Sequence, residues 1–231
     1  MHSQSQSQSE LDEALLEAAR DGSITEIQSL LDRHADIDAS DDEGATPLHH
    51  ASRKGHRQCI ELLLDRHADI DACDDESYAP LHYASMNGHR QCIELLLDRH
   101  ADIGVYENER CTPLHYASTN GRHQCVELLL DRHANVNARS VYNQTPLHGA
   151  SFNGHHKCIE LLLGRHADPN VSDAENDTPL HFVSSNGHHQ CIELLIDHGA
   201  GKYLTDVRHC VPSLSLSLAR LLALATSISC L

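Results

Sequence analysis

The sequence predicts an all-α solenoid of stacked helix-turn-helix pairs, and two observations carry that prediction. Thr-Pro-Leu-His opens at Thr46, Thr112, Thr145 and Thr178, Ala-Pro-Leu-His opens at Ala79, and successive starts lie 33 residues apart. A fixed period of this size marks a repeat architecture in which each unit is one supersecondary element. Each period also reads as two helices too short to bury an apolar face alone, so neighbouring units must stack.

The unit at residues 42–71 shows how each element follows from its residues. Thr46 is placed to accept a hydrogen bond from a free amide of the first helix, and Pro47 sits where a missing N–H costs nothing. Leu48 and Ala51 are three apart and share one helix face. Gly55 stops this helix. The second begins near Arg57, turns Cys59, Ile60, Leu63 and Leu64 inward and Glu61 and Asp65 outward, and ends at Arg66-His67. A polar stretch at residues 69–77 leads to the next motif.

In chain order, residues 1–10 form a Ser-Gln-rich run expected to be disordered. Residues 11–38 keep the register at Ala18, Gly22, Leu30 and Leu31 but carry Glu13-Ala14-Leu15-Leu16 in place of the motif. That departure suits a terminal repeat whose outer face has no neighbour. Five further repeats occupy 42–71, 75–104, 108–137, 141–170 and 174–202. Residues 56–70 and 89–103 are identical, which marks them as scaffold.

Residues 203–231 are a degenerate apolar segment. Leu218, Leu221, Leu222 and Ala225 have the helical spacing of a C-terminal cap. The alternative of a membrane tail meets Arg220 near its middle and many serines.

Gly44-Ala45-Thr46-Pro47-Leu48-His49, then Ala51, Gly55-His56, Leu63-Leu64 and Ala68-Asp69-Ile70, resemble the ankyrin repeat over roughly residues 11–202. The resemblance implies antiparallel helix pairs with hairpin fingers projecting from one edge of a concave face. It also implies a non-catalytic scaffold that binds a partner protein on its finger and inner-helix face. Two varying sets then line that face. The finger tips are Asp42-Glu43-Gly44-Ala45, Asp75-Glu76-Ser77-Tyr78, Asn108-Glu109-Arg110-Cys111, Val141-Tyr142-Asn143-Gln144 and Ala174-Glu175-Asn176-Asp177. The first-helix pairs are Arg53-Lys54, Met86-Asn87, Thr119-Asn120, Phe152-Asn153 and Ser185-Asn186.

From these sets the candidate partner-binding residues are Tyr78, Met86, Asn87, Cys111, Asn120, Tyr142, Gln144, Phe152, Asn153, Asp177 and Asn186. Tyr78, Met86, Tyr142 and Phe152 stand out as large side chains expected to be exposed, the type that anchors interfaces.

Departures from the family pattern carry expectations of their own. His34, His67, His100, His133 and His166 stand where the family has a left-handed Gly, and only Gly199 conforms. Ala79 lacks the capping hydroxyl, a loss of about 1 kcal/mol. The Pro-Leu-His imidazoles are expected, by the same resemblance, to tie neighbouring turns together. Pro212-Ser213-Leu214 and Leu218-Ala219-Arg220 resemble the start of a SOCS box, which would recruit a ubiquitin-ligase scaffold. There the usual Cys is Ala219, the Leu spacing is off by one, and the second half is missing.

Composition narrows the function. A formal charge of −17 disfavours nucleic acid and anionic membranes and favours a protein partner with a basic or apolar patch. No catalytic signature appears, so no enzyme activity and no cofactor are expected, and the chain is read as a monomer. His56 and Cys59 have helical ligand spacing, as do their counterparts, but each pair needs two more ligands and its Cys faces the core. No metal is expected. Cys59, Cys92, Cys125, Cys158 and Cys191 recur at an inward position and read as buried thiols. With a polar start at Met1, they point to a cytoplasmic or nuclear setting. The 21 histidines, if all protonated, would carry the charge to +4. Stability is therefore expected to shift between about pH 7.5 and 5.5.

Overall fold

The computed structural model describes residues 2–201, with side chains from residue 7 onward. The cap, membrane and SOCS-box readings of residues 203–231 lie outside the described residues. Twelve helices and no strand are found among the described residues. They pair as α1 (His2–Asp21) with α2 (Ile24–Asp32), α3 (Pro47–Lys54) with α4 (Arg57–Asp65), and α5 (Pro80–Asn87) with α6 (Arg90–Asp98). The series continues through α7 (Pro113–Thr119) with α8 (His123–Asp131), α9 (Pro146–Phe152) with α10 (His156–Gly164), and α11 (Pro179–Ser185) with α12 (His189–Asp197). Odd-numbered helices pack on one another in one row and even-numbered helices in a second.

The N-terminus corrects one expectation. The Ser-Gln run is helical, as part of α1. Gln8 donates from Nε2 to Asp12 Oδ1 at 2.9 Å and to the His34 carbonyl at 3.1 Å. Extending an existing helix costs far less than nucleating one, and this side chain also satisfies a carbonyl after α2.

Between the rows lies the core. Leu48, Leu81, Leu114 and Leu147 from the odd helices meet Ile60, Ile93, Val126 and Ile159 from the even ones, all essentially inaccessible. Each such side chain contributes about 1.5–3 kcal/mol by leaving water. The cysteine column is buried and unpaired. Burial pushes the Cys92 and Cys125 thiols up to about 11 and the Cys158 thiol up to about 12, so they stay protonated and pack as small apolar groups.

Four ladders fix the stacking. At the start of α3, the Thr46 N–H donates to His49 Nδ1 at 3.0 Å, with the Thr46 hydroxyl 2.9 Å from the same nitrogen. The expected Thr cap is therefore shared with an imidazole. Because an amide must donate, Nδ1 carries the lone pair and Nε2 the proton, which goes to the Tyr78 carbonyl of the next repeat at 2.9 Å. His82, His115 and His148 repeat this link to Cys111, Gln144 and Asp177. Ala79 loses the hydroxyl but keeps the amide-to-imidazole half at 3.0 Å.

A second ladder starts from His56, which meets the Arg20 carbonyl one repeat back at 3.1 Å, and His89, His155 and His188 do likewise. Arg122 fills the vacant rung through Nε to the Met86 carbonyl. Each imidazole arrives directly over a helix-ending glycine. At Gly55 φ is +80°, and a Cβ would lie 2.5 Å from His89 Nδ1.

A third ladder pairs Arg66, Arg99, Arg132 and Arg165 with the Asp one repeat earlier at 2.8–3.2 Å. The series ends where Gly164 replaces the next Asp.

In the fourth, Asp38, Asp71, Asn137 and Asn170 each accept a backbone N–H from the following repeat at 3.0 Å. The helix-end histidines sit at φ of 66–71°, the left-handed geometry expected of them.

Candidate functional site

The finger turns are built around one acceptor residue apiece, Asp41, Asp74, Glu107, Ser140 and Asp173, buried in all but the first. Asp74 Oδ1 receives the N–H groups of Glu76 and Tyr78 at 3.1 and 2.9 Å, and Ser140 Oγ those of Tyr142 and Gln144 at 3.2 Å. The turn closes through a left-handed residue, in order Gly44, Ser77, Arg110, Asn143 and Asn176. Successive fingers are joined by backbone bonds, among them Val141 N–H to the Glu109 carbonyl at 2.8 Å and Ala174 N–H to the Tyr142 carbonyl at 2.9 Å. The row of tips is thus one hydrogen-bonded edge, and side chains on it are presented from a held backbone.

The structure separates the predicted site residues into groups. Tyr78 and Met86, expected to be exposed, are half-buried. The Tyr78 hydroxyl lies 2.8 Å from the Tyr116 hydroxyl, and its ring centroid is 5.5 Å from that of Tyr83. Tyr83 donates to Asp74 Oδ2 at 2.6 Å and carries the Arg53 guanidinium 4.2 Å above its ring. Burial and the Asp74 carboxylate push the Tyr83 phenol up to about 12. Tyr78 is therefore a member of an internal tyrosine cluster, satisfied by its neighbours.

The asparagines are exposed but committed. Asn87, Asn120 and Asn186 donate to the carbonyls of Tyr83, Tyr116 and Phe182 at 2.9–3.0 Å, closing their own helices. Asn153 bridges to Thr119 and Gly149 carbonyls at 3.0 and 3.3 Å. Cys111 is half-buried, and burial together with Glu107 pushes its thiol up to about 12. Ligand atoms of Glu107, Glu109 and Cys111 lie within 4.8 Å of one another. Both Glu107 oxygens are already taken by the N–H groups of Glu109 and Cys111 at 2.7 and 2.9 Å, so this trio is a finger turn.

What remains free is concentrated. Among the described residues the exposed large apolar side chains are Tyr106, Val141, Tyr142 and Phe152, each about half accessible (49–58%). Beside Phe152 a cleft of about 280 Å³ opens between Thr119, Gln144, His148, Gly149, Asn153 and Phe182. The Phe152 and Phe182 rings meet edge to face at 5.8 Å and form its apolar wall. Gln144 is held across to Asp173 Oδ2 at 3.3 Å, and Asp177 lies half-buried nearby.

Sequence reasoning missed the residue that creates the cleft. The position after Pro-Leu-His is His50, Tyr83, Tyr116, Gly149 and Phe182 in successive repeats. Its variation directly after an invariant Pro-Leu-His was the available signal. In the other repeats a ring fills this position; Gly149 leaves a notch into which Thr119 leans so closely that even a Cβ would meet its hydroxyl.

No helix among the described residues is long and apolar enough to cross a membrane. Comparison with known families matches the model described as ankyrin repeats (three copies) over residues 15–107, 99–173 and 150–215. No curated protein matches the chain.

Proposed function

The chain belongs to the ankyrin-repeat family, and we propose that it is a non-catalytic scaffold that docks one partner protein across repeats 4 to 6 of its finger and inner-helix face. Ankyrin repeats are in general protein-interaction modules and typically non-catalytic. The observation that supports this placement is that, among the described residues, exposed large apolar side chains are confined to residues 106–152, while Tyr78 and Met86, the other two large side chains of the predicted face, are half-buried. Exposed aromatic anchors on a rigid backbone are what interface energy concentrates on, and a hydrogen-bonded finger edge lowers the ordering cost of docking.

The partner presents a basic surface with an apolar centre. Glu43, Glu76, Glu109 and Glu175 stand along the finger tips, against Arg110 as the cation there. Association accordingly speeds up at low salt. Affinity purification from cytosol would compare the unaltered chain, a Tyr142→Ala/Phe152→Ala variant, and an Arg99→Ala/Arg132→Ala variant of the even-helix row. A protein captured by the first and third but lost from the second supports the reading. Equal capture by all three removes it.

A further inference from the structure

We propose that the Gly149 notch is an anchor pocket that takes one bulky apolar side chain from a partner segment carrying lysine or arginine on either side. This rests on the docking face proposed above and assigns its specificity.

Its size is the first argument. About 280 Å³ is below the range of about 300–1,000 Å³ typical of small-molecule pockets and suits a single Leu, Phe or Trp side chain. The lining divides by chemistry. Phe152 and Phe182 supply an apolar wall, and Gly149 supplies a floor with no side chain, the only such gap among the five residues that follow Pro-Leu-His. The amide and imidazole donors of the rim are occupied. Gln144 Nε2 bonds Asp173, the Asn153 amide bonds two carbonyls, and His148 Nε2 faces the Asp177 carbonyl at 3.3 Å. Such a rim asks little hydrogen bonding of a visitor and favours an apolar one.

Charge sets the flanks. On the fingers beside the notch stand Glu109, Asp173, Glu175 and Asp177, and these four carboxylates outnumber the opposing charges Arg110 and Arg139. Residues before and after the anchor therefore meet carboxylates. A partner segment with acidic flanks is repelled at the same points.

The test uses the full chain and a random twelve-residue peptide library displayed on phage. Enriched peptides are expected to share one Leu, Ile, Phe or Trp flanked by Lys or Arg. Their binding is then measured as synthetic peptides against Thr119→Met, Tyr142→Ala and the unaltered chain. Thr119 is exposed, and Met86 holds its place one repeat earlier, so the larger side chain fills the notch in a fold that already carries it. Unchanged circular dichroism and melting verify that.

The expected result is at least a tenfold loss of affinity with Thr119→Met. Selected peptides with no shared apolar residue, or affinity for Thr119→Met within twofold of the unaltered chain, overturn the anchor. If Tyr142→Ala weakens binding while Thr119→Met does not, the docking face stands without this pocket. If neither variant changes binding, or no peptide is enriched, both proposals fall.

Discussion

At the scale of single residues, one column of the inner helices works against stability. Ser52, Ser85, Ser118 and Ser151 are fully buried, and their hydroxyls have no hydrogen-bond partner. A buried hydroxyl left unpaired costs about 1–3 kcal/mol. Ser85→Ala is expected to raise stability by about 1 kcal/mol, read as a higher urea midpoint at unchanged slope.

The capping imidazoles set the acid limit. Burial, opposed by the carbonyl each faces, holds His82 and His115 down at about 4 and shifts His49 and His148 in the same direction. The unfolded chain, titrating near the ordinary 6.5, takes up protons first. Stability from these groups is complete above about pH 6.5 and is lost as pH falls toward about 4, on the order of 3 kcal/mol for each of His82 and His115. Urea midpoints should be level from pH 7.5 to 6.5 and fall steadily to pH 4.5. The transition is thus expected to lie lower than the count of histidines implied, because burial disfavours the protonated ring. The repeated Pro-Leu-His spacing was readable in the sequence. The depth of burial behind that acid shift comes from stacking and was not.

At the scale of helices and turns, the junction between pairs tolerates least. Gly55→Ala places a Cβ both in a left-handed backbone and against the His89 ring. The backbone term alone costs about 1–2 kcal/mol, and displacing His89 also frees the Arg53 carbonyl it holds at 3.1 Å. A loss of more than about 2 kcal/mol in the denaturation midpoint is expected.

The arginine ladder is the opposite case. Arg99 and Asp65 meet at 2.8 Å but are 36% and 58% exposed, and exposed pairs of this kind contribute about 0–1 kcal/mol. Arg99→Ala is expected to move the midpoint by less than about 0.5 kcal/mol in 0.15 M salt. Helix bounds were legible because Pro, Gly and the apolar spacing punctuate every unit. The start of α1 was not, since Gln8 is secured by the His34 carbonyl 26 residues on. Nor was the notch, which exists because a missing side chain in one repeat coincides with Thr119 of the repeat before.

At the scale of the whole molecule, stability is a sum of repeats and of the contacts between neighbours. Removing residues 57–89 joins His56 to Arg90 and leaves every ladder type in register, because residues 56–70 and 89–103 are identical. The shortened chain is expected to fold with a helical circular dichroism spectrum and a lower midpoint, having lost one interface. It is also expected to keep the peptide affinity of the intact chain, since residues 106–186 are untouched.

That same identity has a kinetic side. A segment bearing α4 presents to its neighbours what a segment bearing α6 presents, so nothing local tells the chain how many units it has already stacked. Refolding at high concentration therefore permits one molecule to lend a unit to another, an exchange of modules between copies that leaves every individual contact correct.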